Sequence, residues 1–144
     1  MKLFTIGFTK TSAESFFSRL KNVGVQRLID VRLNNISQLA GFAKKNDLSF
    51  FLKTLCGISY EHRPELAPTS EMLDGYKKYD SSWSTYEKKF LDLMKSRRIE
   101  EKIPRNLLDG ACLLCSEDKP HHCHRRLVAE YLKEKWGSLE IVHL

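Results

Sequence analysis

Between Cys115 and Arg125 the chain reads Cys-Ser-Glu-Asp-Lys-Pro-His-His-Cys-His-Arg, which gathers two of its four cysteines and three of its five histidines into one short stretch. A thiolate is a nucleophile and a soft metal ligand, an imidazole carries protons near neutral pH, and a carboxylate serves as general acid or base. A guanidinium fork matches phosphate or carboxylate oxygens. An apolar run, Ala111-Cys112-Leu113-Leu114-Cys115, precedes the stretch. A segment with helical spacing, Leu127, Val128, Tyr131, Leu132 and Trp136, follows it. A loop from strand to helix lies at the carboxyl edge of an open α/β sheet, where ligands bind. Cys123-His124-Arg125 then opens a helix, whose free N–H groups and dipole attract anions and favour a thiolate.

If the chain is built on parallel strands, residues just after each strand converge with this loop: Gly7-Phe8-Thr9, Asp30 with Arg32, and His62 with Arg63. The expected site therefore has Cys123 or Cys115 as nucleophile and Glu117 or His62 as general acid or base. Arg32, Arg63 and Arg125, with Gly7 and Thr9, would hold an anion such as phosphate. Asp30 and His124 are orienting groups. A carboxylate inside an apolar strand is costly unless paired, and Arg32, two residues on, shares its face. Asp30, Arg32, Cys115, Glu117, Cys123 and Arg125 are expected to surround one solvent-open pocket.

Cys115, Cys123, His124 and one of His121 or His122 have the donor types that bind zinc. The spacing counts against it, because structural zinc sites draw on two short-spaced pairs and only one cluster is present. No metal ligand is therefore assigned, and a zinc-stabilised domain stays as an alternative. His121 and His122 read as exposed loop residues. Cys56 and Cys112, among apolar neighbours, read as small core residues, and Trp83 and Trp136 as packing anchors.

The elements that must position these groups read as follows. Lys2 to Ile6 is a strand ended by Gly7. A helix with Phe16, Phe17, Leu20 and Val23 on one face starts at a capping box of Thr11 and Glu14 and stops at Gly24. Arg27 to Arg32 is a second strand, so strand, helix and strand form a βαβ unit with parallel strands. Residues 33–46 read as a long loop with one helical turn. Asp47 caps a helix that ends at Gly57, and Ile58 to His62 is a third strand. Thr69 to Tyr79 is a helix, and Ser84 with Glu87 caps another, with Pro104 ending what lies beyond Arg98. Ala111 to Cys115, a helix from Cys123 to Trp136, and Leu139 to His143 complete the chain. The order implies one α/β domain over 1–144, a mostly parallel sheet of about five strands with helices on both faces.

With 144 residues, 42% hydrophobic and 29% charged, the composition is that of an ordinary globular domain. No apolar run approaches the roughly 18 residues of a membrane span. The start is too short in its apolar part for a signal peptide, so a cytoplasmic protein with unpaired cysteines and no membrane partner is expected. A formal charge of +6 favours anionic partners, and lysine and arginine cluster at Lys44-Lys45, Lys77-Lys78, Lys88-Lys89, Arg97-Arg98 and Arg125-Arg126. No cofactor or oligomeric state is legible.

Thr5-Ile6-Gly7, Asp30-Val31-Arg32, Tyr60-Glu61-His62 followed by Pro64 and Leu66, and above all Leu114-Cys115-Ser116-Glu117 with Cys123-His124-Arg125 resemble the family of unknown function DUF488. The resemblance implies a single small α/β domain in which the matched residues form one site. Asn34, Asn35, Ile36 and Ser37-Gln38, and Ala67-Pro68 further on, depart from the family's pattern in two loops beside that site. Two functional classes stand side by side. One is an enzyme acting on a phosphorylated, nucleotide or nucleic-acid substrate. The other is a non-catalytic module that binds nucleic acid or another polyanion, whose affinity would fall steeply with salt.

Overall fold

Five parallel strands form one sheet in the order β3-β2-β4-β1-β5: β1 (Lys2–Gly7), β2 (Arg27–Asp30), β3 (Ser59–His62), β4 (Ala111–Cys115) and β5 (Glu140–His143). The computed structural model describes residues 1–36, 41–77 and 82–144, so expectations placed on Ser37, Gln38, Lys78 and Tyr79 lie outside the described residues. The first two strands are parallel as the βαβ pattern requires, yet β4 is inserted between them. Its register runs from Phe4 opposite Cys112 to Gly7 opposite Cys115 on one side, and from Arg27 opposite Ala111 to Asp30 opposite Leu114 on the other. A strand apolar on both faces suits that central place, and every residue of β4 is buried.

Crossover handedness explains which helices lie on which face. The steps β1 to β2 and β2 to β3 move one way along the sheet, carrying α1 (Ala13–Asn22) and α2 (Lys45–Phe51). The steps β3 to β4 and β4 to β5 move the other way. They carry α3 (Ser70–Lys77), α4 (Trp83–Arg97), the short α5 (Ile99–Lys102) and α6 (Arg105–Leu108), and α7 (His124–Trp136). Right-handed connections of opposite direction must cover opposite faces. The core divides accordingly: Phe4, Ile6, Leu28, Cys112 and Leu114 pack with Phe16, Phe17 and Leu20 of α1, and Leu48 of α2. The alternate residues Leu3, Ile29, Leu113 and Cys115 pack with Phe90 and Met94 of α4, and Leu127, Val128 and Leu132 of α7. Burying each such side chain fully stabilises the fold by about 1.5–3 kcal/mol.

Several helix starts differ from expectation by one to three residues. Ser12, not Thr11, caps α1, its hydroxyl accepting from the Ser15 N–H at 3.1 Å. Ser82, not Ser84, caps α4 by accepting from the Thr85 N–H at 3.2 Å. Asp47 sits inside the first turn of α2, which follows Lys44 with no side-chain cap. That helix continues as one π turn, Leu52–Cys56, and Gly57 ends it at φ 65°. Strand β2 closes at Asp30, leaving Val31 and Arg32 beyond the ladder. No described helix is long and apolar enough to cross a membrane.

Candidate functional site

Strand β4 ends at Cys115 and α7 begins after Cys123, so the loop between them folds back over the carboxyl edge of the sheet. Cys115, Cys123 and His124 are all buried there, and one ligand atom from each lies within 4.8 Å of the others. The Cys115 sulfur is 3.3 Å from His124 Nδ1. His124 Nε2 is 2.6 Å from the Val31 carbonyl oxygen, which can only accept, so Nε2 carries the proton and Nδ1 turns its lone pair toward the sulfur. Burial holds the imidazole below its ordinary pKa, which keeps it neutral.

The two thiols are inequivalent. Burial opposes ionisation of Cys115, but the Cys123 S–H, the Ser116 N–H and the Arg125 guanidinium outweigh it and bring its pKa below the ordinary thiol value. Cys123 is pushed well up, first by its hydrogen bond to Cys115 and then by burial. Arg125 is wholly buried and has no carboxylate partner among the described residues. Its Nε donates to Thr5 Oγ1 at 3.3 Å and its terminal nitrogens to the Glu117 and Asp118 carbonyls, while Nη1 lies 3.4 Å from the Cys123 sulfur. A buried cation surrounded by neutral oxygens favours negative charge nearby, and among the described residues the Cys123 sulfur is the one ionisable group it touches.

The three groups form the floor of a cleft of about 170 Å³. Arg32, Ser116 and Glu117 supply polar groups to its lining, and Leu33, Leu73, Tyr76, Trp83, Tyr86 and His122 supply most of the rest. Arg32 is held by Asp30, with Nε to Oδ1 at 2.9 Å and Nη2 to Oδ2 at 2.8 Å, and its plane lies over the Phe8 ring. Asp30 is closed off from behind by the Tyr60 hydroxyl at 2.5 Å, itself an acceptor from Asn35. Burial, then the Asp30 hydrogen bond and charge, push the Tyr60 pKa up, so this hydroxyl stays protonated as a donor. The remaining terminal nitrogen, Arg32 Nη1, is buried and has no hydrogen-bond partner among the described residues.

The other expected site residues hold the scaffold. The Ser116 carbonyl accepts from the N–H groups of Phe8 and Thr9 and from the Thr9 hydroxyl, the last at 2.9 Å. A Cβ on Gly7 would stand 1.5 Å from the Glu117 oxygen, so glycine here admits the loop's own backbone rather than a ligand. His62 Nε2 is bonded to the Arg32 carbonyl at 2.8 Å, and Arg63 is paired with Glu61 at 2.7 Å and Glu65 at 3.3 Å; neither residue lines the cleft. The alternation Glu61, Arg63, Glu65 is a sequence signal for that pairing. Asp30 and Arg125 also stand behind the wall rather than in it.

Sequence reasoning did not find the aromatic wall. His122 stacks on Trp83 at 4.8 Å, and Trp83 on Tyr86 at 5.2 Å; Tyr76 meets Trp83 edge-on at 5.6 Å, and Phe90 reaches His124 at 5.5 Å. His122 is exposed as expected, yet packed. The only signal in the sequence was the density of aromatics between 76 and 90, which also fits plain core.

Comparison with curated proteins and with solved structures found no match. Residues 12–132 match the model of the domain of unknown function DUF488, a span containing every site residue except Gly7 and Thr9, and the chain belongs to that family.

Proposed function

We propose that the protein is an enzyme built on a transition-metal centre, most simply zinc, held by Cys115, Cys123 and His124 at the floor of the cleft. The observation that carries this reading is the convergence of three buried donors of the right type on one point. A tetrahedral zinc, with bonds of about 2.3 Å to sulfur and about 2.0–2.1 Å to nitrogen, separates two such ligands by about 3.5 Å. The Cys115 to His124 Nδ1 distance of 3.3 Å is close to that before any metal draws the ligands in. A metal-binding histidine usually ties its other nitrogen to a carbonyl or carboxylate, which His124 does through Val31. Three protein ligands leave a fourth position, and all three line the cleft, so that position faces substrate. When bound, the metal would supply Lewis acidity there. Two thiolates cancel its charge, and Arg125 beside Cys123 returns one net positive charge to the centre.

The sequence spacing that counted against zinc concerned closed structural sites with two ligand pairs. An open site needs only three donors, and the strand end and helix start supply them. Phosphate capture by several arginines is less favoured by this geometry: Arg125 and Arg63 are engaged elsewhere and Asp30 already balances Arg32. A nucleic-acid module would rest on the formal charge alone. The test is elemental analysis of protein purified without added metal. About one zinc per chain is expected, lost in Cys115→Ser; metal-free protein that binds no added zinc overturns the reading.

A second reading has its own observation. The lowered pKa of Cys115 beside the raised one of Cys123 makes Cys115 the more readily ionised of the two thiols, and so the candidate nucleophile for covalent catalysis. Metal-free protein whose Cys115 reacts rapidly with iodoacetamide at neutral pH would favour it.

A further inference from the structure

We propose that the cleft carries out hydrolytic deamination of a small amino-heterocycle, an aminopyrimidine ring, with Glu117 as the proton carrier; this rests on the metal-centre reading above. Four features converge on that substrate class.

The first is size. An apolar cavity of about 150 Å³ holds one benzene, so a cleft of about 170 Å³ takes a single six-membered ring with its substituents and leaves any attached sugar outside. The second is shape and polarity. Tyr76, Trp83 and Tyr86 make one wall and Leu33 and Leu73 add apolar surface, which suits a flat aromatic body rather than an aliphatic chain or a sugar.

The third is the orphan donor. Arg32 is 2% exposed, lines the cleft and keeps Nη1 without a partner among the described residues. A buried unpaired N–H is costly, which marks a place for an acceptor. Because Asp30 already neutralises the guanidinium, a ring carbonyl or ring nitrogen matches this donor better than a phosphate dianion does. A site built to hydrogen-bond one ring edge rejects rings that lack the acceptor, so Arg32 also sets specificity.

The fourth is the position of Glu117. It comes two residues after the first sulfur donor, is exposed, lines the cleft and lies outside the ligand cluster. Two thiolates weaken the acidity that a metal confers on water, so a carboxylate must take the proton. Zinc held by one histidine and two cysteines, with a glutamate that is not a ligand, is the set that nucleobase deamination uses. In the reaction water oxygen bonds to the ring carbon bearing the amine, Glu117 takes one proton from that water and passes it to the departing nitrogen, the C–N bond breaks and ammonia leaves, and the second water proton moves from the oxygen to the adjacent ring nitrogen, which leaves the ring carbonyl. Atoms balance with water as the only co-reactant.

The experiment is ammonia release by the zinc-replete full chain from cytosine, isocytosine, cytidine, adenine and adenosine. Turnover of one or more pyrimidines is expected, and Glu117→Gln should lower it at least about 100-fold while zinc content and melting temperature stay unchanged. Zinc-loaded protein that releases no ammonia from any of these, or Glu117→Gln with undiminished rate, overturns the proposal and leaves the metal centre standing. Turnover confined to the purines overturns the single-ring assignment. Protein that takes up no zinc removes the metal-centre reading itself, a separate result.

Discussion

Gly7 and Glu117 occupy the same place: the carbonyl oxygen of Glu117 fills the position where any side chain on residue 7 would begin. The last residue of β1 thus seats the loop that carries the cleft's carboxylate, and the Arg125 guanidinium closes on that carbonyl from the other side. Gly7→Ala must displace backbone rather than a flexible side chain. We expect a destabilisation of about 2–4 kcal/mol by chemical denaturation, together with loss of zinc affinity, because the loop also spaces Cys115 from Cys123. An alanine variant with wild-type stability and metal content would contradict the close approach.

Asp30 and Tyr60 separate two magnitudes at one network. Asp30→Asn leaves Arg32 buried without its charge partner and should cost about 3–5 kcal/mol, whereas Tyr60→Phe removes one hydroxyl donor and should cost about 1 kcal/mol. Urea unfolding of the two variants measures both. Equal effects would show that Tyr60, not Arg32, is what keeps Asp30 in the core.

Metal removal should lower thermal stability in proportion to how tightly the centre binds. With free zinc at about a thousand times its dissociation constant, the bound form gains about 4 kcal/mol over the apo form. Scanning calorimetry before and after dialysis against a chelator should therefore show a melting temperature that drops and is restored by zinc. Cys115→Ser should show no such response.

Glu100 and Tyr131 give a pH signature away from the cleft. The Tyr131 hydroxyl donates to Glu100 at 2.8 Å, and the Trp136 indole donates to the Glu100 carbonyl. Desolvation works against the Glu100 carboxylate, but the Tyr131 bond, with Lys135 and Arg98, brings its pKa below the ordinary value, while Tyr131 is pushed up to about 12. A carboxylate depressed by folding contributes stability that is present above its unfolded pKa of about 4.3 and is lost as pH falls through the folded value. Tyr131→Phe should shrink that acid-side loss by no more than about 1 kcal/mol, since Glu100 stands near solvent. A pH–stability curve below pH 5 unchanged by the substitution would place the shift elsewhere.

The parts legible in the sequence were those with a local cause. The apolar run of β4 and the helical period after Cys123 place Cys115, Cys123 and His124 at one strand-to-helix junction, and Asp30 with Arg32 is readable because two residues separate them. Tyr76, Trp83 and Tyr86 reach the same cleft through the crossover from β3 to β4, and no local pattern ties them to a loop some thirty residues later. Arg125 reads as an anion-holding fork because it stands at the start of a helix; the Thr5 hydroxyl of β1, which it meets inside the core, is far away in the chain. That β1, β2 and β4 are parallel near neighbours follows from their helical crossovers, but the order that puts β4 in the middle does not, since adjacency in a parallel sheet is not set by sequence order.

That insertion has a consequence for assembly. β1 and β2 are made early, yet they share no edge; the strand that joins them begins at Ala111. Until it emerges, β1 has no partner on either edge and β2 is paired only with β3, and there is no floor for a cleft, so long-range closure must precede most of the ordered sheet. A chain still attached to the ribosome at that stage would present those edges to other chains, which makes β4 the point at which self-association gives way to folding.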